Sequence, residues 1–136
     1  MRGRAAIASA ALALAGCAAE RPPADAAAEA VDRAAPDYLG VETRLLDLDL
    51  VRVDVTMGAE ATLEEIEGYA RCAAALDALS RTQRFLRHLR TNVAKEGGLW
   101  RADAVYTISA SRPEGLRTID AEVEAAACAE RGIPMV

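Results

Sequence analysis

The sequence predicts an α+β domain whose elements follow the order β-α-β-β-α. In one segment apolar and polar residues alternate, as in a strand, and a segment with helical periodicity follows it. Two further segments alternate in the same way on either side of a glycine turn, and a second helical pattern ends the chain. A right-handed β-α-β crossover would place both helices on one face of a three-stranded, mostly antiparallel sheet. We expect a signal peptide and a flexible tether to precede this domain.

The first strand is predicted where apolar residues alternate with polar ones, at Val51, Val53, Val55 and Met57. Residues 46, 48 and 50 are leucines that alternate in the opposite phase. A single continuous strand would therefore need a β-bulge near Leu50 and Val51 to turn both apolar sets toward the core.

The first helix is predicted to begin at Thr62, which forms a T-x-x-E capping box with Glu65. Its apolar stripe includes Ile66, Tyr69 and Leu76, and its many alanines would let it lie close to the neighbouring element. We expect this helix to end around residues 81–83.

A β-hairpin is predicted next, with Gly97 and Gly98 supplying the positive φ angles of its turn. Phe85, Leu89 and Val93 share one phase of its first strand. The apolar phase of its second strand contains Trp100, Ala102, Ala104, Tyr106 and Ile108.

The last helix is predicted from the apolar spacing of Ile119, Val123 and the alanines that follow. Gly132 lies where a Schellman motif would end it, and Pro134 prevents its continuation.

The N-terminus contains a lipobox, formed by Leu14, Ala15, Gly16 and Cys17, after two arginines and an uncharged run at residues 5–15. That run is too short for a membrane span, which needs roughly 20 apolar residues. Residues 1–16 are therefore predicted to be a lipoprotein signal peptide. Acylation of Cys17 would anchor the mature chain to a membrane through its fatty chains.

An ordinary signal peptidase provides an alternative, because Ala13, Leu14 and Ala15 also form an A-x-A site. Cleavage there would release a soluble chain with a free Cys17 thiol. Under the lipoprotein interpretation, Ala18 in place of an aspartate favours the periplasmic face of the outer membrane.

Cysteine counting predicts one disulfide. With Cys17 acylated, Cys72 and Cys128 remain as a pair in an oxidising compartment. The alternative is two buried free thiols that act as small apolar groups. The chain has one histidine and no C-x-x-C spacing, so we expect no metal site and no cofactor.

Composition divides the rest of the chain into a tether and one domain. Residues 17–37 hold the lipidated cysteine and an alanine- and proline-rich stretch with too few large apolar side chains to fold, so the small periplasmic domain is predicted at residues 38–136. Arg2 and Arg4 leave with the signal peptide, so 14 of the 16 basic residues remain against 21 acidic ones. This acidic balance argues against nucleic acid as a partner.

The candidate interaction face is a basic cluster on the predicted third element, at Arg84, Arg87, His88 and Arg90. We expect Arg84, His88 and Arg90 on the outer, solvent-facing side of the sheet, and the cluster could contact a protein or an anionic envelope component. A salt-bridged, solvated face without a partner is the alternative. Enzyme motifs such as G-x-S-x-G, H-E-x-x-H or a glycine-rich phosphate loop do not occur, so no catalytic residue is predicted.

Four segments, together with the lipobox, resemble short alphaproteobacterial lipoproteins of unknown function: residues 69–73, residues 87–92, residues 100–109 and residues 128–130. The resemblance covers the chain from about Tyr38 onward and implies no catalytic residues.

Together these observations predict a non-enzymatic, lipid-anchored accessory lipoprotein of the cell envelope, with the membrane and an envelope protein as partners. The alternative is a small periplasmic ligand-binding module whose pocket would lie between the helices and the sheet.

Overall fold

Residues 34–134, which the computed structural model describes, contain five antiparallel strands in one sheet and two helices. The strand order in the sheet is β1-β2-β4-β3-β5. In chain order the elements are β1 (Tyr38–Asp47), β2 (Leu50–Met57), α1 (Leu63–Ser80), β3 (Phe85–Glu96), β4 (Leu99–Ser109), β5 (Ile119–Asp120) and α2 (Ala121–Glu130). The α+β class and the two helices agree with the sequence prediction, whereas the three-stranded sheet and the order β-α-β-β-α are wrong in detail.

The leucine-rich segment before β2 is a separate strand and not the bulged start of one long strand. The Leu48 amide donates to Asp47 Oδ1 at 2.8 Å at the start of a turn. The chain therefore reverses at residues 48 and 49, and β1 pairs antiparallel with β2. The chain reversal, and not a bulge near Leu50 and Val51, explains the change of phase, and it leaves Leu46 and Leu48 49% and 90% exposed.

Helix α1 covers the inner face of the sheet. The predicted capping box is present, because Thr62 Oγ1 accepts from the Glu65 amide and Glu65 Oε2 accepts from the Thr62 amide. The side chains of Ala70, Ala74 and Ala78 are fully buried. Small side chains on this surface let the helix backbone approach the strands closely, which accounts for the alanine-rich composition of α1.

The inner face of β2 and β4 supplies most of the core beneath α1. Cross-strand pairs in the register join Val51 to Tyr106 and Val53 to Ala104. The alternating pattern predicted for these strands is confirmed, since the buried residues of the two strands on this face are Val51, Val53, Val55, Met57, Ala102, Ala104, Tyr106 and Ile108.

Helix α2 packs against α1 and begins directly after the short strand β5, which the sequence analysis missed. Ile119, predicted to lie in the helix, pairs instead with Leu86 in the sheet. The end of α2 is as predicted: Gly132 has a φ of 69°, and the amide of Ile133 donates to the carbonyl of Cys128 at 3.1 Å.

Cys72 on α1 and Cys128 on α2 form the predicted disulfide. Their Cα atoms lie 6.0 Å apart, and both residues are buried at no more than 1% exposure. The bond therefore joins the two helices inside the core.

Candidate functional site

The predicted basic cluster does not form one surface, because a β-bulge interrupts β3. The pairing of β3 with β4 shifts between His88 and Arg90, which leaves Leu89 without a partner residue and 50% exposed. An extra residue in one strand moves every later side chain to the opposite face. The four basic residues are consequently divided between the two sides of the sheet.

His88 lies on the inner, helix-bearing side and not on the outer face as predicted. It pairs with Tyr106 across the strands, and the two ring centroids are 5.2 Å apart. Its Nε2 lies 2.7 Å from Thr91 Oγ1. These contacts place His88 at the rim of the core beside α1.

Arg84 precedes β3 and faces the beginning of α2. Its guanidinium lies 3.2 Å from the Glu122 carboxylate and 3.8 Å from that of Asp120. Asp120 is the N-cap of α2, and its carboxylate also accepts from the Glu122 and Val123 amides. Arg84 therefore contributes to the local structure at the N-terminus of α2, apart from the outer face.

Arg87 and Arg90 occupy the outer face, which the helices do not cover. Arg90 contacts Asp103 at 2.9 Å, and the Arg87 Nη2 donates to the carbonyl of Glu114 at 2.6 Å. The Arg87 Nε is buried and has no hydrogen-bond partner. These two residues are the part of the predicted interaction face that the structure brings together.

Oppositely charged pairs cover much of the outer face. Besides Arg90 and Asp103, Arg52 contacts Asp54 at 2.7 Å. The hydrogen bond to Asp54 raises the pKa of Arg52 above its ordinary value, so this guanidinium stays charged. Val105, between Arg52 and Arg90 in the register, is only 5% exposed although it points outward. The arginine stems cover this apolar side chain while their charged ends stay in water.

A shallow depression of about 280 Å³ lies on this outer face between β2, β3 and β4. Charged and amide side chains surround it, with both signs represented: Arg52, Asp54, Asn92, Arg101 and Asp103. Such a surface suits a polar contact with another macromolecule better than the apolar enclosure of a small molecule.

A smaller recess of about 100 Å³ opens on the helix side next to His88 and Tyr106. Arg71 and Glu67 on α1 complete its wall. Burial raises the pKa of Tyr106 well above its ordinary value of about 10. Small-molecule sites usually enclose about 300–1,000 Å³. The recess beside His88 is smaller than this range.

Glu124 of α2 lies beside the disulfide and connects both helices. It accepts from Arg71 on α1 at 2.8 Å and from Arg131 at 2.9 Å. The hydrogen bond to Glu124 raises the pKa of Arg71. Cys72, Cys128 and Glu124 could in principle ligate a cation, since their ligand atoms lie within 4.8 Å of one another. The disulfide, however, leaves neither sulfur as the thiolate that a metal requires.

Arg71 and Glu124 were not predicted as a pair, since 53 positions separate them and neither belongs to a local motif. The predicted disulfide between α1 and α2 was the only indication that Arg71 and Glu124 lie close together. Asp103 alternates with the apolar phase of β4 and therefore lies on the outer face, but its contact with Arg90 depends on the bulge in β3, which was not predicted.

The lipobox residues Leu14, Ala15 and Gly16 and the lipidation site Cys17 lie outside the residues that the structure describes. Within residues 34–134, neither helix is long and apolar enough to cross a membrane.

The fold and the disulfide define a small α+β domain in which two linked helices cover one face of a five-stranded antiparallel sheet. The chain belongs to the family of the YNQ4 C-terminal domain, whose profile matches residues 38–132. No curated protein and no solved structure matches the chain.

Proposed function

We propose that this protein is a non-enzymatic, lipid-anchored accessory lipoprotein of the bacterial cell envelope. Its folded domain would be held near the membrane, on the periplasmic face of the outer membrane, and would contact an envelope protein. The observation that carries the proposal is the buried disulfide between Cys72 and Cys128. Structural disulfides persist outside the cytoplasm, which is the compartment that the lipobox at Cys17 implies.

The outer face of the sheet is the proposed contact surface. Neither α1 nor α2 covers it, and its central strands carry the oppositely charged pairs described above. Charged groups at a protein interface give orientation and association rate more than affinity. A contact through this face would therefore be weak or transient and sensitive to salt, and retention near the membrane would raise the local concentration of both partners.

Two linked measurements in the native host test this proposal. Intact mass and membrane fractionation should show an acylated chain in the membrane, and Cys17→Ser should release it into the soluble fraction. A soluble wild-type chain with an unmodified Cys17 thiol would contradict the lipid anchor.

Cross-linking in the same cells tests the contact surface. The double variant Arg87→Glu/Arg90→Glu should lose the cross-linked partner because it reverses the charge of two outer-face residues. Lys95→Glu is the matched control: Lys95 is on the same strand but faces the helix side, where its ammonium lies 5.1 Å from the Trp100 ring centroid. An identical partner set in the double variant, with an unchanged melting temperature, would remove the outer face from the proposal.

A further inference from the structure

Strand β1 is an open edge of the sheet. Within residues 34–134 it pairs only with β2, so its other side presents backbone N–H and C=O groups without a strand partner. Exposed edges of this kind pair readily with another chain unless the sequence guards them.

The two edges of the sheet differ in how well they are protected against pairing with another chain. Strand β5 pairs only with Phe85 and Leu86, so most of β3 is also open. That open part of β3 contains Arg87, Arg90 and Lys95 together with the exposed bulge at Leu89. Charges and bulges of this kind discourage pairing. Strand β1 has no lysine or proline; its two register shifts lie near its ends, between residues 38 and 40 and between residues 45 and 47, and the register from residue 40 to residue 45 is regular.

Apolar side chains are exposed along β1 and the turn that follows it. Leu45 is 40% exposed on the inner side, and Leu46 and Leu48 are 49% and 90% exposed. A groove of about 210 Å³ lies between β1 and α1, and its lining is both apolar and polar: Val41, Thr43, Ala73, Leu76, Asp77 and Ser80. A second strand added at this edge would place its own inner-face side chains along this groove.

The charges of β1 lack opposite partners across the sheet. Glu42 faces Asp54 and Arg44 faces Arg52 in the β1–β2 register. Like charges placed directly opposite each other destabilise a strand pair. Glu42 and Arg44 instead contact each other along the strand at 3.3 Å, with 70% and 58% of their side chains exposed. No opposite charge on β2 therefore lies directly across from Glu42 or Arg44, and such a partner would have to come from the open side.

We propose that β1 pairs antiparallel with β1 of a second copy of this chain, centred on Thr43, to form a continuous ten-stranded sheet. In this register Glu42 of each copy lies opposite Arg44 of the other, on the outer face. On the inner face Val41 lies opposite Leu45, and Thr43 lies opposite Thr43. Each copy thus provides the opposite charges that β2 does not.

The charge pattern selects this register over its neighbours. Residues directly opposite each other in a sheet share a face. A symmetric pairing can therefore shift only by steps that keep inner-face residues opposite inner-face residues and outer-face residues opposite outer-face residues. The nearest shift in one direction places Glu42 opposite Glu42, and the nearest shift in the other places Arg44 opposite Arg44. Both shifts create like-charge contacts on the two-fold axis. The pairing is independent of the proposed envelope function, since it depends on β1 alone.

Charge reversal tests the pairing and its register together. We would use the full chain with Cys17→Ser in every variant, so that acylation cannot drive association, and measure mass by sedimentation equilibrium. The parent should dimerise. Glu42→Arg and Arg44→Glu, each alone, should weaken the dimer by at least about tenfold, because each creates two like-charge contacts at the interface.

Mixing the two single variants is the decisive control. One carries arginine at both positions and the other carries glutamate at both, so the register predicts that they form a heterodimer. The double variant Glu42→Arg/Arg44→Glu should dimerise as the parent does. Recovery in the mixture also shows that each single variant is folded.

A second measurement tests the position of the two-fold axis. Thr43→Cys should form an intermolecular disulfide on mild oxidation, because the two copies of this residue are adjacent in the register. Leu48→Cys is the control: it is 90% exposed but lies far from its own copy across the pairing. More efficient cross-linking from residue 48 than from residue 43 would overturn the proposed register.

Two other outcomes would overturn the proposal altogether. One is a parent chain that remains monomeric at about 1 mM, a concentration at which even weak complexes form. A monomer whose β1 amides are protected from hydrogen exchange would count as the same outcome. In that case another segment of the same chain would occupy the edge. The other is a dimer whose affinity is the same in both single charge variants.

Discussion

Tyr106 combines three features of this domain in one residue: it is 2% exposed, it contributes to the core from β4, and it borders the recess beside His88. Removing a tyrosine hydroxyl from water disfavours the phenolate, which is why the pKa of Tyr106 is raised. Arg71 nearby opposes this effect but is the smaller influence. The residue is therefore neutral in the folded chain at pH values where an unfolded tyrosine has begun to ionise.

The pKa of Tyr106 predicts an alkaline loss of stability. An unfolded tyrosine ionises near pH 10, so this contribution to stability is fully present below pH 10 and is lost as the pH rises toward the higher folded-state value. Tyr106→Phe should flatten the fall above pH 10 by up to about 1.4 kcal/mol per pH unit.

Urea unfolding between pH 8 and about pH 11.5 would measure this slope. Tyr38→Phe is the control, because Tyr38 is only partly buried, although burial raises its pKa as well. An equal flattening in both variants would mean that the depth of burial does not determine the effect.

At the scale of the elements, the close contact of α1 with the sheet depends on side chains no larger than a methyl group. Ala74 is fully buried in the middle of this helix. Ala126 on α2 is also helical but exposed. The two positions share the same amino acid and secondary structure and differ mainly in burial.

Replacing Ala74 with leucine should destabilise the domain by about 1–3 kcal/mol, because a larger side chain in a close-packed core forces backbone and rotamer shifts. Ala126→Leu should change the free energy of unfolding by less than about 0.5 kcal/mol, as exposed substitutions usually do. Urea unfolding of both variants at pH 7 provides the comparison. If the two variants were equally stable, the helix could not be as close to the sheet as described.

The individual helices and strands also show how much of this fold the sequence predicts. Patterns that extend over a whole element, such as the alternation in β2 and β4 and the capping box of α1, were read correctly because many residues carry the same signal. The bulge at Leu89 and the turn at Asp47 each depend on a single residue. The apolar pattern continues through both positions, so it does not indicate either feature. Strand β5 has only two residues and shows no periodicity at all.

Local features of this kind determine which side chains form the candidate surface. The predicted cluster of four basic residues assumed a regular β3, in which His88 and Arg90 would share a face. One extra residue separates them, and Arg84 is drawn to α2 by Asp120 and Glu122. These contacts join residues 36 and 38 positions apart along the chain, so local spacing could not predict them. The outer-face position of Arg90 was predicted, whereas Arg87 shares the predicted apolar phase of Phe85 and Leu89, so only the bulge explains why both arginines lie on the outer face.

At the scale of the whole molecule, the two helices are joined twice, by the disulfide and by Glu124 between Arg71 and Arg131. The ion pairs are partly exposed, and such pairs contribute little on their own. The disulfide closes a loop across 56 positions of sequence and is the stronger constraint.

Removing the disulfide should lower the free energy of unfolding substantially. A loop of this length restricts the unfolded chain by about 4 kcal/mol in the chain-entropy description. Cys72→Ala/Cys128→Ala should therefore lose about 3–5 kcal/mol in urea unfolding, while Cys17→Ser should be neutral for the folded domain. A double variant within 1 kcal/mol of the parent would show that the packed helices alone fix the fold.

The strand order has a consequence for how the chain reaches this structure. Each hairpin, β1–β2 and β3–β4, joins neighbours in sequence, and such units form within about 1–10 μs. The contact between β2 and β4 instead unites residues 50–57 with residues 100–107. Because distant contacts must overcome the entropy of closing a long loop, the meeting of these two halves should limit the folding rate. The covalent link between positions 72 and 128 joins the helix that follows β2 to the helix at the end of the second half, so a chain in which this link has already formed holds the two halves together while the central strands pair.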